Sequence, residues 1–229
     1  MPAEDSRAVT DFYDRLAARY DLLATAPVVR GWRELAADAL ELESGDTVVE
    51  MGCGTGANLP YLRERVGSEG RVVGIDLTSG MLAQARHRVE RAGWTNVDLV
   101  RGDATRPPIE RADAVLGSFV VGLLDDPGAA VDRWLDRLTP GGRVAILEAG
   151  RSDRLVAAPL NLAFRVFVRF SSPGGWTRVD SPAKELDRRI AAARAALNDR
   201  TVDRRDETAA LGLVQVVSGT YPPDNPSTA

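Results

Sequence analysis

The sequence is poor in the residues that metal sites, disulfides and nucleic-acid surfaces require. Its 229 residues include one cysteine, Cys53, and one histidine, His87. A single cysteine excludes an intramolecular disulfide, and the two residues are too few for a Cys/His zinc site. The formal net charge is −4, from 29 Lys and Arg against 33 Asp and Glu, so no global positive field would attract nucleic acid. We therefore expect neither a metal centre nor a nucleic-acid partner.

A long apolar segment is missing as well. The longest one, residues 155–170, contains Pro159 and Arg165 and is shorter than the roughly 20 residues of a membrane-spanning helix. The opening MPAEDSRAVTDFYDRL begins with acidic residues and lacks the apolar stretch of a signal peptide. These features predict a cytoplasmic protein with at most weak peripheral membrane contact.

Short apolar runs alternate with helical patterns between residues 46 and 148. Because the runs lack strict polar alternation, we expect strands buried on both faces, in a parallel sheet with crossover helices. The helices are predicted at residues 59–66, 79–92 and 127–138. The predicted strands are TVVEM (47–51), RVVGID (71–76), VDLV (97–100), DAVLGS (113–118) and RVAILE (143–148).

Helical spacing continues on both sides of this region. One apolar stripe joins Trp32, Leu35, Ala39 and Leu42, and a second joins Leu186, Ile190, Ala193 and Leu197 in a helix that opens at Ser181. The predicted fold is α/β, with a doubly wound, mostly parallel sheet. The predicted segments are N-terminal helices (1–44), a ligand-binding core (45–149), a helical insert after the fifth strand (150–205), a last helix and a single last strand (206–221), and a disordered tail (222–229).

A glycine-rich loop follows the first strand, in VVEMGCGTGAN, residues 48–58. Glycines at positions 52, 54 and 56 allow a sharp turn and a close approach of the backbone to a ligand. The following helix presents free N–H groups to that ligand. The loop also satisfies the dinucleotide fingerprint G-x-G-x-x-G/A. It therefore predicts a nucleoside-type ligand without separating a nicotinamide cofactor from S-adenosylmethionine.

Two acids follow the next two strands. Asp76 ends the second strand in GIDLTSG and offers two acceptor oxygens to a pair of ribose hydroxyls. The alternative is that Asp76 caps the helix that starts near Ser79. Asp103, in RGDATRPP, could accept a hydrogen bond from an adenine amino group while the Ala104 N–H meets a ring nitrogen, and its alternative is a turn acid.

These elements together resemble a known family. The order E-M-G-C-G-T-G, G-I-D, G-D-A and L-T-P-G-G, over about residues 10–148, resembles the class I S-adenosylmethionine-dependent methyltransferases, which have a seven-stranded sheet. FYDRLAARYD (12–21) is similar to the N-terminal helix of the ubiquinone/menaquinone-biosynthesis type. In that type the helix tyrosines, here Tyr13 and Tyr20, lie over the cofactor.

The resemblance implies a binding site for S-adenosylmethionine and its product S-adenosylhomocysteine. Glu50 would hold the glycine loop and the methionyl ammonium, and Ser118 with Phe119 would form the floor near the sulfonium. The methyl acceptor would be a small, apolar or quinone-like molecule. The other implied cofactor residues are Gly52, Cys53, Gly54, Thr55, Gly56, Asp76, Leu77, Asp103 and Ala104.

Methyl transfer from a sulfonium depends largely on proximity and orientation. If the acceptor is a phenol or an activated carbon, Glu148 after the fifth strand or Asp125 after the fourth could take the proton. Their alternative roles are strand-end solvation and helix capping. The insert, residues 150–205, is interpreted as a lid over an apolar acceptor. A non-enzymatic cofactor-binding regulator and a nicotinamide oxidoreductase remain alternative hypotheses.

Overall fold

A seven-stranded sheet lies at the centre of the computed structural model, which describes residues 27–150, 152 and 182–223. The strands are β1 (Thr47–Met51), β2 (Arg71–Asp76), β3 (Val97–Arg101), β4 (Ala112–Ser118), β5 (Leu138–Ala149), β6 (Val202–Ala209) and β7 (Val214–Thr220). Their order in the sheet is β3-β2-β1-β4-β5-β7-β6. The first five strands are parallel, and β7 runs antiparallel to both β5 and β6. This arrangement confirms the predicted α/β fold.

Within the described ranges, five helices cover the two faces of the sheet: α1 (Pro27–Asp38), α2 (Leu59–Val66), α3 (Ser79–Ala92), α4 (Pro127–Leu135) and α5 (Pro182–Arg200). Buried side chains of α1, α2 and α3 form one apolar cluster with the sheet, and those of α4 and α5 form another. Consecutive residues of β1 divide between the clusters, with Val48 in the first and Val49 in the second. Burial on both faces explains why the strand sequences are apolar without alternation.

The predicted bounds of β1, β2, α2 and α3 are confirmed. α4 ends at Leu135 rather than at residue 138, and Leu138 already pairs with Ala112 as the first residue of β5. Of the stripe predicted for this segment, Ala39 is buried, while Trp32, Leu35 and Leu42 are only partly buried. The other buried apolar residues are Ala36, Ala37 and Leu40, so the buried face is rotated from the predicted one.

Two strands, not one, follow α5. β6 was missed because its sequence, VDRRDETA, is charged and mostly exposed. Such a sequence is typical of an edge strand protected against further pairing. The last helix predicted for residues 206–221 is a single 3-10 turn, Ala210–Gly212, and residues 202–205, placed in the insert, belong to β6.

Several predicted features lie outside the described residues. They include the helix with Tyr13 and Tyr20, Ser181, residues 151 and 153–181 of the insert, and residues 224–229 of the tail. The division of the chain into segments stays a prediction. In the part of the chain that the structure describes, no helix is both long and apolar enough to cross a membrane.

Candidate functional site: a cleft at the carboxyl edge of the sheet

The candidate site lies where the strand order reverses. β1 is flanked by β2 on one side and β4 on the other, and Met51 pairs with Ile75 and with Gly117. The connections that leave β1 and β4 therefore start side by side and lead to opposite faces of the sheet. In open α/β sheets this switch point is where ligands bind.

The glycine loop fills one side of the switch point. All three predicted glycines have a positive φ: 69° at Gly52, 54° at Gly54 and 75° at Gly56. A Cβ at Gly52 would lie 2.6 Å from Val120 Cγ2, and one at Gly56 would lie 2.6 Å from Leu59 Cδ1. A Cβ at Gly54 would meet no atom within 4 Å. Gly52 and Gly56 are thus needed for packing, whereas Gly54 leaves backbone open to a ligand.

A buried polar chain crosses the bottom of the cleft. Arg33 Nη1 of α1 donates to Asn58 Oδ1 at 2.8 Å, and Asn58 Nδ2 donates to Glu50 Oε1. The three side chains are at most 5% exposed. Burial raises the pKa of Glu50 to about 7, against the opposing effects of Asn58 and Arg33. Among the described residues, Glu50 Oε2 is buried without a hydrogen-bond partner, so the chain ends in an acceptor with unused capacity.

Sequence reasoning missed Arg33 and Asn58. A signal for Arg33 was present, because it precedes Ala37 and Leu40 by four and seven residues and so shares their buried helix face. Asn58 directly follows the glycine loop as the residue before α2. Its bond to Glu50 depends on loop geometry that the sequence pattern does not specify.

The turn after β4 forms the other side of the cleft. Ser118 Oγ is buried and has no hydrogen-bond partner in the part of the chain that the structure describes. Phe119 has a φ of 54°, and its N–H donates to Leu147 O at 2.8 Å. The Arg33 guanidinium lies 5.8 Å from the centroid of the Phe119 ring, within the range of a cation–π interaction.

The cleft brings together seven of the predicted cofactor residues. Its lining consists of Arg33, Glu50, Gly52, Cys53, Gly54, Thr55, Ala57, Asn58, Ser118 and Phe119. Gly56, Asp76, Leu77, Asp103, Ala104, Asp125 and Glu148 are not among these lining residues.

Asp76 supports the glycine loop from the end of β2. Its Oδ2 accepts from Gly54 N and its Oδ1 accepts from Thr78 N, both at 2.8 Å. Since each carboxylate oxygen can accept more than one hydrogen bond, these contacts are compatible with a diol ligand. Thr78 is the residue before α3. Its hydrogen bond to Asp76 is therefore also compatible with the alternative role of Asp76, which is to cap this helix. Leu77 is exposed beside it.

Asp103 lies in a turn after β3. Its Oδ1 accepts from Thr105 N at 2.8 Å, and its side chain is exposed. The neighbouring Ala104 is fixed by Trp134 of α4, whose Nε1 donates to Ala104 O at 2.7 Å. The turn is therefore anchored to the core while the Asp103 carboxylate faces outward.

The two candidate bases lie in different surroundings. Asp125 is exposed, and the cap of α4 is its neighbour Asp126, which accepts from Ala129 N at 3.0 Å. Glu148 is buried, which excludes strand-end solvation, and its Oε1 accepts from Val121 N at 2.9 Å. Burial raises the pKa of Glu148 to about 8. A base role for either residue stays a prediction.

Cys53 packs under the loop. Its N–H donates to Ile75 O at 2.9 Å, and a Cβ at Gly74 would lie 2.9 Å from its Sγ. Burial raises the pKa of the Cys53 thiol, which disfavours the reactive thiolate. These contacts are those of a small packing residue.

The fold and this cleft define a doubly wound α/β protein with a cofactor-type loop, and comparisons with known proteins specify the family. Residues 48–142 match a family model described as a methyltransferase domain. An aklanonic acid methyltransferase of Streptomyces sp. (strain C5) is 38% identical over 141 residues, which cover 61% of this chain and 64% of that protein. A ubiquinone/menaquinone biosynthesis C-methyltransferase of Idiomarina loihiensis is 32% identical over 162 residues, covering 68% of this chain and 63% of that protein.

A solved structure agrees with these relatives. The crystal structure of a SAM dependent methyltransferase from Aquifex aeolicus superposes with a TM-score of 0.62 and 19% identity, over 91% of this chain and 98% of that one; this likeness shows the fold. Over the matched residues the chain is similar to S-adenosylmethionine-dependent methyltransferases, as the motifs predicted, and the methyl donor that this similarity implies is S-adenosylmethionine. It spans a little under two thirds of the length of the two relatives above.

Proposed function

We propose that this chain is an enzyme that transfers the methyl group of S-adenosylmethionine to a small, apolar or quinone-like acceptor. The observation that carries the proposal is the buried chain Arg33–Asn58–Glu50, which ends in an unpartnered carboxylate oxygen beside the open backbone of Gly54. Buried polar atoms are nearly always hydrogen-bonded in folded proteins. An acceptor oxygen without a partner in a cleft therefore points to a ligand that donates there.

The polar groups of the cleft fit the amino-acid part of this donor. An ammonium group donates hydrogen bonds and carries a positive charge, which is what Glu50 Oε2 can accept. The Arg33 guanidinium lines the same cleft and supplies the positive charge that a carboxylate would require. Thr55 Oγ1 and Ser118 Oγ, also buried without partners, offer further hydroxyl groups.

The remaining donor contacts are proposed from the strand ends. Asp76 would accept from the ribose hydroxyls, with Leu77 exposed beside it, and Asp103 with the Ala104 N–H would recognise the adenine. Tyr13 and Tyr20, which lie outside the described residues, would cover the donor, as the family resemblance implies. The assignments of Asp76 and Ala104 are supported by one hydrogen bond each, from Gly54 N to Asp76 Oδ2 and from Trp134 Nε1 to Ala104 O.

The donor supplies a methyl group on a cationic sulfur with a good leaving group. The chain's own contribution is to bind, orient and exclude water. A cationic sulfur next to the Phe119 ring would gain about 0.5–2 kcal/mol, and holding two reactants in line contributes up to about 7–11 kcal/mol. For proton removal from the acceptor, where needed, Asp125 is the exposed candidate, and Glu148 is a candidate only in its ionised form, because burial raises its pKa to about 8.

The acceptor class is proposed from the relatives and from the insert. The two relatives are named for acting on aklanonic acid and in ubiquinone/menaquinone biosynthesis. By analogy, we propose that the methyl acceptor of this chain is an apolar molecule that contains a ring. The apolar segment 155–170 would cover the acceptor as a lid.

Comparative mass spectrometry tests this function. Extracts of cells that lack the protein should accumulate a metabolite lighter by one methylene than its counterpart in the parent strain. The purified chain should then convert that metabolite when S-adenosylmethionine is added. A chain that binds the donor but converts no accumulated metabolite would support the alternative of a cofactor-binding regulator.

A further inference from the structure

The turn that follows β4 is held at three consecutive residues, Val120, Val121 and Gly122. Ser118 and Phe119 line the donor cleft, and Val120 packs so closely on Gly52 that a Cβ there would be 2.6 Å from Val120 Cγ2. Val121 N donates to Glu148, and Gly122 O accepts from Arg189 Nη1 of α5 at 3.2 Å. The position of the cleft floor is therefore coupled to groups outside the cleft.

Glu148 anchors the middle of this turn from the neighbouring strand. It ends the buried part of β5 and faces the side of the sheet covered by α4 and α5, because Ile146 two residues earlier belongs to that cluster. Its Oε1 accepts from Val121 N at 2.9 Å. A single buried side chain thus holds the amide at the middle of the turn.

The environment of Glu148 favours the role of a hydrogen-bond acceptor. The carboxyl group is 5% exposed, and burial raises its pKa to about 8, so most molecules carry the proton at neutral pH. The carbonyl oxygen of a protonated carboxyl group still accepts from an amide. A neutral side chain with an oxygen at the same place should therefore perform the same task.

We propose that Glu148 is a positioning residue for donor binding, which places Ser118 and Phe119 in the cleft by holding the 120–122 turn. The inference rests on the proposed function, since it concerns the same donor. It differs from the role of a general base. As a base, Glu148 would take a proton from the methyl acceptor, and its substitution would leave the affinity for the methyl donor unchanged.

Three substitutions separate these roles by calorimetric titration with S-adenosylhomocysteine. Glu148→Leu removes the oxygen that accepts from Val121 N, and Glu148→Asp moves that oxygen away because the side chain is one methylene shorter. Both should raise the dissociation constant about five- to tenfold, the equivalent of one lost hydrogen bond. Glu148→Gln, which keeps an oxygen at that position, should restore most of the affinity. Hydrogen exchange of residues 119–122 should be faster in the Leu and Asp variants and slow again in the Gln variant.

A matched control separates positioning from general destabilisation. Thr201 is equally buried, donates to Leu197 O at 2.7 Å, and lies beside Gly219, which pairs with Val144 in the middle of β5. Thr201→Val should lower the melting temperature without changing the dissociation constant. If Glu148→Leu does not fold, the Asp and Gln variants give the same comparison.

The outcomes are distinct. Unchanged affinity in the Asp and Gln variants, with the wild type binding normally, would overturn the positioning role. Equal loss of affinity in the Gln and Asp variants would overturn it too. The affinity would then not depend on whether a side-chain oxygen is kept beside Val121 N. A folded wild type that binds no S-adenosylhomocysteine would contradict the proposed function itself, and the inference with it.

Discussion

At the scale of single residues, the ionisation of Glu50 links the cleft to pH. Its pKa is raised from 4.5 to about 7 by burial, so its contribution to folding is complete below pH 4.5 and is lost as the pH rises through 7. A bound ammonium group favours the ionised form. Donor affinity should therefore rise several-fold between about pH 5.5 and 7, with release of a proton.

Calorimetry in two buffers of different ionisation enthalpy measures both quantities. Glu50→Gln should weaken binding and remove the proton release in this window. A wild-type affinity that stays constant across the window would show that Glu50 does not meet the ammonium group.

Asp76 carries the second residue-scale prediction. Asp76→Ala should weaken donor binding by about 1.5–3 kcal/mol, or about 10- to 150-fold, because the ribose hydroxyls and Gly54 N lose a charged acceptor. Asp98→Ala is the control. Asp98 is an exposed carboxylate on a strand and pairs with Arg71, so this substitution should leave the dissociation constant unchanged. Equal dissociation constants for wild type and Asp76→Ala would assign Asp76 to the start of α3 alone.

Gly54 and Gly56 form a matched pair for a third test. Both have a positive φ, so an alanine is strained by about 1–2 kcal/mol at either position. At Gly56 the new Cβ would also collide with Leu59, whereas at Gly54 it enters open space. Urea denaturation should show the larger loss of stability in Gly56→Ala. Calorimetric titration should show that, relative to its loss of stability, Gly54→Ala loses more donor affinity than Gly56→Ala does. The reverse order would place the ligand away from Gly54.

At the scale of elements, α4 supports the turn that contains Asp103 and Ala104 through one side chain. Trp134 is fully buried and donates to Ala104 O. Trp134→Phe leaves that buried carbonyl without a partner at a cost of about 1–3 kcal/mol. We expect a lower melting temperature together with a several-fold weaker affinity for S-adenosylhomocysteine.

Leu135→Val on the same helix is the control for this effect. Leu135 is buried in the same cluster, and its truncation costs about 1 kcal/mol without a link to Ala104. The control variant should lose stability and keep its affinity. A similar loss of affinity in both variants would mean that the whole helix, not the Trp134 bond, supports the loop.

The elements also show how far sequence patterns can predict this molecule. Strands buried on both faces, such as β1 and β2, have continuous apolar runs and were placed correctly. β6 has no such run, because an edge strand is stabilised by backbone pairing with β7 and exposes its charges. Periodicity alone misplaced the α1 stripe because Arg33 occupies a buried position that a hydrophobic pattern excludes.

At the scale of the whole molecule, the strand order makes the site. The reversal between β1 and β4 brings Glu50, from one face of the sheet, together with the turn that Glu148 anchors from the other face. The family resemblance implied Glu50, Ser118 and Phe119 one by one. Their meeting with Arg33 and Asn58 required the tertiary fold, since Arg33 and Asn58 are 25 residues apart in the chain.

The most direct test of the account is an isothermal titration of the folded chain with S-adenosylmethionine, S-adenosylhomocysteine and a nicotinamide dinucleotide. The Arg33–Asn58–Glu50 chain and the glycine loop predict a one-to-one complex with a micromolar dissociation constant for the first two ligands, and no heat for the dinucleotide. Binding of the dinucleotide alone, or no heat with either S-adenosyl ligand, would contradict the central claim.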